Sequence, residues 1–184
     1  GDGLYLSFSS GCTVQGNYIG TDSGGVKRGN GSNGIHLFNA ISNHIGGTVA
    51  ADRNIISGNN DNGVYVNAAS SGNVIEGNYI GLAPSGSSSL SNTTDGIRIS
   101  GATNNLVGGT NAASRNIISG NGRSGVYLQS GAVSNRIFSN TIGLDASGTY
   151  ALPNGAPGNG AIYVAAPRNI IGAPGAGNVI SGNA

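Results

Sequence analysis

Short stretches in which apolar and polar residues alternate recur along the whole chain. In the most regular one, a glycine precedes two aliphatic residues that flank a variable residue, as in Gly63-Val64-Tyr65-Val66. These A pieces are Gly3–Leu6, Gly34–Leu37, Gly63–Val66, Gly96–Ile99, Gly125–Leu128 and Ala161–Val164. A period of two residues, bounded by glycine and asparagine, predicts short β-strands with one buried face.

Two further short pieces, called B and C, follow each A piece, and most of them begin with asparagine. The B pieces are 12–14, 43–45, 73–75, 105–107, 135–137 and 169–171. The C pieces are centred on Ile19, Ile56, Ile80, Ile118, Ile142 and Ile180. No stretch has the 3.6-residue period of an amphipathic helix, so the sequence predicts an all-β chain.

These pieces recur within a longer repeat. Asn54–Val66 returns as Asn116–Leu128, a spacing of 116 − 54 = 62 residues, and Gly16–Gly20 returns as Gly77–Gly81, a spacing of 77 − 16 = 61 residues. Stacked coil on coil, each short strand would lie about 4.8 Å from its equivalent in the next coil. We therefore predict a right-handed parallel β-helix (β-solenoid) of about six coils, with three parallel sheets and no capping helix.

We interpret residues 1–184 as a single β-solenoid domain of three repeats of about 61 residues, each forming two coils. Placing the last residues, Asn178–Ala184, before the first, Gly1–Leu6, reproduces the spacing seen within Asn54–Val66. We therefore expect a segment of a longer array or a filament subunit, whose last coil stacks head-to-tail on a coil equivalent to the first.

Composition narrows the range of partners. Charged residues make up 8% of the chain and the net charge is +1, too little basic charge to predict a nucleic-acid partner. No apolar run approaches membrane-spanning length, so membrane insertion is not expected. The chain contains one cysteine, Cys12, and therefore forms no internal disulfide. We expect no cofactor and no metal.

The phrases Gly16–Gly25, Asn62–Val66 and Asn105–Asn121 resemble the Asn/Gly-rich right-handed parallel β-helix repeats of microbial surface and secreted proteins. The resemblance covers the whole chain and implies the fold of the pectate-lyase-like β-helix superfamily, in an extracellular or cell-surface protein. It implies little about activity, because this fold hosts many functions. The departures from the repeat pattern are Cys12, Ala161 and the enlarged loop 144–160.

Polysaccharide lyases and glycoside hydrolases with this fold use clustered carboxylates, whereas most acidic residues here are isolated. The exception is Asp61 and Asp95, which precede A pieces of successive coils and would lie near 5 Å apart if they occupied equivalent turns. The alternative is that both only form turns, as Asn33 and Asn62 do. We favour this alternative and predict no catalysis; an active chain would be a lyase or a glycoside hydrolase.

The two histidines do not change this interpretation. His36 and His44 are predicted to lie on outward rows without an Asp or Ser partner. Two Asn-X-Ser/Thr sequons begin at Asn30 and Asn92 in the predicted loops, and they would be surface-loop glycosylation acceptors in a host that glycosylates. The alternative, which we favour in a chain so rich in Asn, Ser and Thr, is that both are chance matches.

The outward residues of the A pieces form a row that we call the stripe: Tyr5, His36, Tyr65, Arg98, Tyr127 and Tyr163. Aromatic faces and a guanidinium suit sugar rings or a protein partner. The alternative is that the side chains stack on one another for stability alone, and we weigh this as the somewhat better explanation.

Together these features favour a non-catalytic extracellular β-solenoid that serves as a rigid structural element, a filament former or an adhesin stalk. Its expected partner is itself, through head-to-tail stacking, with glycans as a second class. The alternative is a polysaccharide-binding or polysaccharide-degrading β-helix module.

Overall fold

The computed structural model describes residues 1–155 and 159–184, so the middle of loop 144–160 lies outside the described residues. The first repeat contains β1 (Leu4–Ser7), β2 (Thr13–Val14), β3 (Tyr18–Ile19), β4 (Ile35–Phe38), β5 (His44–Gly46) and β6 (Ile55–Ile56). The second contains β7 (Val64–Asn67), β8 (Val74–Glu76), β9 (Tyr79–Ile80), β10 (Ile97–Ser100), β11 (Leu106–Gly108) and β12 (Ile117–Ile118). The third contains β13 (Val126–Leu128), β14 (Arg136–Phe138), β15 (Thr141–Ile142), β16 (Ile162–Val164), β17 (Ile170–Ile171) and β18 (Val179–Ile180).

These strands form three parallel sheets, each with one strand from every coil. The A sheet has the order β1-β4-β7-β10-β13-β16, the B sheet β2-β5-β8-β11-β14-β17 and the C sheet β3-β6-β9-β12-β15-β18. Every pairing joins equivalent residues of successive coils, such as Ile97 with Val126 and Ile118 with Ile142. The prediction of about six coils and three parallel sheets is therefore confirmed.

The interior is filled by the inward rows of the three sheets. In the second to fifth coils these aliphatic side chains are fully buried, for example Ile35, Val66, Ile118 and Ile137. Each contributes roughly 1.5–3 kcal/mol relative to an exposed side chain. Because inward residues of successive coils are register partners, the core is a continuous column along the axis.

Three ladders of asparagine side chains run along the corners. In each ladder, the Nδ2 of one asparagine donates to the Oδ1 of the next, as from Asn73 to Asn105 at 2.9 Å. The ladder before the B strands consists of Asn43, Asn73, Asn105, Asn135 and Asn169. The ladder before the C strands consists of Asn17, Asn54, Asn78, Asn116, Asn140 and Asn178. Their members are the asparagines that precede the B and C strands, with which most B and C pieces begin.

A third ladder follows the C strands and was not anticipated. It consists of Asn30, Asn59, Asn92, Asn121, Asn154 and Asn183. Its corner also needs a glycine: Gly81 has φ +88°, and a Cβ on it would overlap the backbone carbonyl of Ser119. Asparagines that the sequence suggested to be loop residues, such as Asn30 and Asn92, therefore belong to this ladder.

Two sets of loops project from this column. The loops that follow β3, β9 and β15 each close with an antiparallel bridge, for example Leu82 with Ser89. The loops between β5 and β6 and between β11 and β12 contain 3-10 turns at Ala50–Asp52 and Ala112–Ser114. Within the described ranges, no helix is long and apolar enough to cross a membrane.

The ladders predict a specific cost for removing one amide. In Asn105→Ala, the backbone N–H and Nδ2 of Asn73 lose their acceptor at 3.0 and 2.9 Å and stay buried. We expect the free energy of unfolding to fall by on the order of 3 kcal/mol, measured by urea denaturation. The matched control is Asn60→Ala, because the exposed Asn60 side chain makes no hydrogen bond to described residues; its effect should stay below about 0.5 kcal/mol. Equal effects of the two changes would contradict a stabilising role of the ladder.

Candidate ligand-binding site

The stripe predicted from the sequence is present on the outer face of the A sheet. Tyr5 is about half exposed, and its ring centroid lies 4.9 Å from that of His36. The His36 ring stacks on Tyr65, with centroids 5.0 Å apart and an angle of 26° between the planes. These separations are typical of favourable ring pairs. In this half of the stripe the rings therefore stabilise one another.

The stripe continues through an arginine. The guanidinium of Arg98 lies 5.8 Å from the ring centre of Tyr65 and 5.3 Å from that of Tyr127. Nε and Nη2 of Arg98 donate to Oε1 of Gln129 at 3.0 and 2.7 Å. This fork fixes the arginine between the two rings, where it contributes cation–π attraction to both.

The stripe changes geometry at its end. Tyr127 and Tyr163 meet edge to face, with centroids 5.0 Å apart and an interplanar angle of 69°. A stacked pair covers its inner faces, whereas an edge-to-face pair leaves one ring face uncovered by the other ring. Here the surface forms a cavity of about 190 Å³. Its lining residues are Asp95, Arg123, Ser124, Tyr127, Asn159 and Tyr163.

Asp95 is the acidic member of this cavity lining, and it is buried. Its side chain is 1% exposed, and Oδ1 accepts a hydrogen bond from the backbone N–H of Ser124 at 3.0 Å. Its other oxygen, Oδ2, is buried without a hydrogen-bond partner among the described residues. Burial raises the pKa of the Asp95 carboxyl above its ordinary value, because the charged form loses its hydration. The Ser124 N–H and the cationic Arg123 oppose this shift without overcoming it.

The orphaned oxygen follows from a fourth row of hydrogen bonds, before the A strands. Asn33 donates from Nδ2 to Oδ1 of Asp2, and Asn62 donates from Nδ2 to Oδ1 of Asn33, both at 2.8 Å. At the next position a carboxylate replaces the amide, so Asp95 has no side-chain N–H to donate to Asn62. The hydroxyl of Thr94 supplies that hydrogen bond instead, at 2.8 Å.

This register corrects the expectation that Asp61 and Asp95 occupy equivalent turns. Because Val64 pairs with Ile97, Asp95 is the equivalent of Asn62, and Asp61 is offset by one residue. Asp61 accepts a hydrogen bond from Nδ2 of Asn62 at 3.1 Å and does not line the cavity. Its negative charge contributes to the raised pKa of Asp95, though less than burial does. The predicted absence of catalysis remains a prediction.

Both histidines have acidic partners, and the aspartate beside His36 contradicts the sequence interpretation. Nδ1 of His36 lies 3.1 Å from Oδ2 of Asp2, and Nε2 of His44 lies 2.7 Å from Oε1 of Glu76. In each case the partner comes from a neighbouring coil, one in register with Asn33 and the other in register with Gly46. Among the described residues, no group of three His, Cys, Asp or Glu side chains is arranged to hold a metal.

The two sequons do not occupy free surface loops. Asn92 is fully buried, and its Nδ2 donates to Oδ1 of Asn121 and to the carbonyl of Ile56, both at 2.9 Å. Nδ2 of Asn30 is partly buried and donates to Oδ1 of Asn59 at 2.8 Å. A glycan on Asn92 would have to displace this ladder, so the expected surface-loop position of this acceptor is wrong.

No family model matches this chain, and no curated protein matches it. A solved structure that does match is a double mutant of the periplasmic alginate epimerase AlgG, with a TM-score of 0.54 and 17% sequence identity. The match covers 98% of this chain and 48% of that one, so this chain spans about half the length of the epimerase chain. At this identity the similarity concerns the fold, and it confirms the predicted right-handed parallel β-helix.

Asp95→Asn tests the origin of the unpaired oxygen. The pKa of Asp95 is raised in the folded chain, so its contribution to stability is present in full below the ordinary value of 3.8. That contribution is lost as the pH rises through the folded-state pKa. At neutral pH, we expect Asp95→Asn to raise the free energy of unfolding by on the order of 1 kcal/mol, because an amide supplies the missing donor. The gain should shrink on acidification, as measured by denaturation across the pH range.

The matched control is Asp61→Asn. It changes the carboxylate that lies one residue out of register with Asp95. Asp61 is partly exposed and already hydrogen-bonded, so we expect a change within about 0.5 kcal/mol. A neutral-pH loss of stability in Asp95→Asn, or a gain independent of pH, would contradict this account of Asp95.

Proposed function

We propose that this chain is a non-catalytic β-helix module, outside the cytoplasm, that binds a glycan along the stripe. The observation that carries the proposal is the cavity at the end of the stripe, where the Tyr127 and Tyr163 rings meet edge to face beside Arg123. Tyrosine rings offer apolar faces to the C–H groups of a sugar, and a guanidinium donates hydrogen bonds to its hydroxyl groups.

The size of the cavity supports one bound ring of a longer chain. Its volume of about 190 Å³ is smaller than the roughly 300–1,000 Å³ of pockets that enclose a drug-sized ligand. The rest of a polymer would lie along the stripe, over Arg98 and Tyr65. The epimerase with a similar fold is named for a polysaccharide, which is consistent with this ligand class and carries no further weight at 17% identity.

The surroundings of Asp95 and Asp61 do not favour catalysis. Asp95 is buried, with one oxygen hydrogen-bonded to a backbone N–H, and Asp61 does not line the cavity. A glycoside hydrolase needs two carboxyl groups that flank the scissile bond, and a calcium-dependent lyase needs a cluster of oxygen ligands. The described cavity lining supplies one carboxyl group.

Glycan binding is tested with Tyr127→Ala. We expect its affinity for oligosaccharides selected on a glycan array to fall about two- to thirteenfold, because a ring–sugar contact of about 0.5–1.5 kcal/mol is lost. The matched control is Tyr150→Ala: Tyr150 is 71% exposed, lies in the enlarged loop and does not line the cavity. Calorimetry should show unchanged affinity for the control, and the bound oligosaccharides should remain uncleaved.

The proposal would be wrong if the array gave no binding, or if Tyr127→Ala and Tyr150→Ala weakened binding equally. Release of new reducing or unsaturated ends would instead support an enzyme. Tyr5→Ala, at the opposite end of the stripe, separates the cavity from the row as a whole. Binding centred on the cavity should be less sensitive to this change than to Tyr127→Ala.

A second proposed function is structural and rests on the face of the sixth coil. Its inward residues Val164, Ile171 and Ile180 are 40–48% exposed, whereas their equivalents Leu128, Ile137 and Ile142 are fully buried. Open apolar core and unpaired strand edges favour the addition of another coil. For the isolated 184-residue chain, we propose that the first coil of a second copy covers this face, which gives head-to-tail association.

Sedimentation analysis over a range of concentrations tests this association. We expect Ile180→Glu to weaken self-association at least about tenfold, because stacking would bury an unpaired charge. Ile41→Glu is the matched control, since Ile41 is 49% exposed and lies outside the inward rows. A wild-type chain that stays monomeric at every concentration, or an equal effect of both variants, would contradict self-stacking.

A further inference from the structure

A groove runs over the outer face of the C sheet, away from the stripe. Its floor is formed by the outward C-sheet residues Tyr18, Ile55, Tyr79 and Ile117. The 3-10 turns at Ala50–Asp52 and Ala112–Ser114 flank one side, and the loops that carry Pro84 and Ala146 flank the other. The groove contains two cavities of about 240 and 260 Å³, both of which are lined by Ala50 and Arg53.

Two arginines occupy equivalent positions in this groove. Arg53 and Arg115 both precede the sequence Asn-Ile-Ile-Ser-Gly-Asn, and both line the cavity of about 240 Å³. Nε of Arg53 donates to the carbonyl of Gly77 at 3.3 Å, and Nε of Arg115 donates to that of Ser139 at 3.2 Å. These hydrogen bonds fix the side-chain stems and leave the terminal guanidinium nitrogens for other acceptors.

The Arg53 guanidinium is held further by a ring. It lies 4.1 Å from the ring centre of Tyr79. Gly86 lies close to the same ring, since a Cβ on Gly86 would come within 2.8 Å of Cε2 of Tyr79. A guanidinium fixed in this way loses little conformational entropy when a ligand binds.

The charge in the groove is not neutralised. Within the described residues, no carboxylate lies within ion-pair distance of Arg53 or Arg115. The described lining of both cavities contains no acidic side chain; Asp52, the neighbour of Arg53 in sequence, does not line them. In a chain with a net charge of +1, two uncompensated guanidinium groups in one groove form a local positive site.

We propose that this groove is a binding site for a ligand that carries oxyanion groups, such as carboxylate, sulfate or phosphate esters. Arg53 and Arg115 bind these groups through their terminal nitrogens, and the apolar floor with Tyr79 contacts the rest of the ligand. The two arginines are two coils apart, a separation of about 9.6 Å along the axis. An extended ligand with repeated acidic groups can therefore contact both, whereas a single small anion contacts one. The site does not depend on glycan binding at the stripe.

Three probes distinguish an extended charged ligand from a small anion and from an uncharged polymer. They are dextran sulfate, inorganic sulfate and uncharged dextran, respectively. In calorimetry with the full chain, we expect dextran sulfate to bind more tightly than sulfate at equal ionic strength, and uncharged dextran not to bind in this groove. Affinity should fall as salt is added, because the charges are partly exposed. Arg115→Gln should weaken dextran sulfate binding at least about tenfold, and the double variant Arg53→Gln with Arg115→Gln should lose it.

The controls separate local recognition from net charge and from folding. Arg136→Gln removes the same charge from an exposed position on the B sheet, outside both cavities, and should leave affinity unchanged. Arg115→Lys keeps the charge but loses the planar fork, so an intermediate affinity is expected. Arg53→Gln also removes the contact with Tyr79, so the single Arg115→Gln change, with an unchanged melting temperature, is the decisive measurement.

Three outcomes would overturn the proposal. The first is equal affinity of dextran sulfate for the wild-type chain and the folded Arg115→Gln variant. The second is an equal loss of affinity in Arg136→Gln, which would indicate a general charge effect. The third is equal binding of dextran and dextran sulfate. Tighter binding of sulfate than of dextran sulfate would contradict an extended ligand and indicate a small anion instead.

Discussion

The structure depends on hydrogen bonding of the corners between its very short strands. Each of the described C strands has two residues and each B strand two or three, so much of the backbone in each coil lies outside the sheets. Buried corner N–H and C=O groups would each cost free energy if left unpaired. An asparagine amide fits this position because it both donates and accepts. Asn116, for example, donates to Asn140 in the next coil and to the carbonyl of Ile75 in the preceding one. Aliphatic packing stabilises the column, and the ladders fix where it turns.

The same constraint explains why one carboxylate differs from the others. Asp2, at the start of its row, only needs to accept, and hydrogen bonds from Asn33, His36 and Ser32 lower its pKa although burial opposes the shift. Asp95 stands where its row also requires a donor, so one oxygen stays unpaired and its pKa rises. The two carboxyl groups thus differ through their positions in one repeated hydrogen-bond row. The unpaired group also lies beside the cavity at the end of the stripe.

The sequence predicts the periodic parts of the molecule well and the contacts between coils poorly. Inward residues such as Ile118 and stripe residues such as Tyr127 follow from alternation, because every coil places them alike. The third asparagine ladder was missed because Asn92 stands in a stretch rich in Ser, Thr and Asn that resembles a loop. The pair His44–Glu76 joins residues 32 positions apart that are not register partners. Asp61 and Asp95 were paired wrongly by a one-residue offset. The strands set this register, and the turn sequences alone do not reveal it.

This division of roles also limits where the chain can recognise a ligand. The core uses the inward residues and the ladders use the corners, so specificity depends on outward rows and on the loops beside them. Outward rows repeat about every 4.8 Å, and chemistry confined to alternate coils repeats about every 9.6 Å. The stripe on the A sheet has an aromatic or cationic side chain in every coil and suits contacts spread along a chain, whereas Arg53 and Arg115 occur on alternate coils and suit separated charges. Two ligands, or two parts of one polymer, can therefore be bound on different faces without competing for the same side chains.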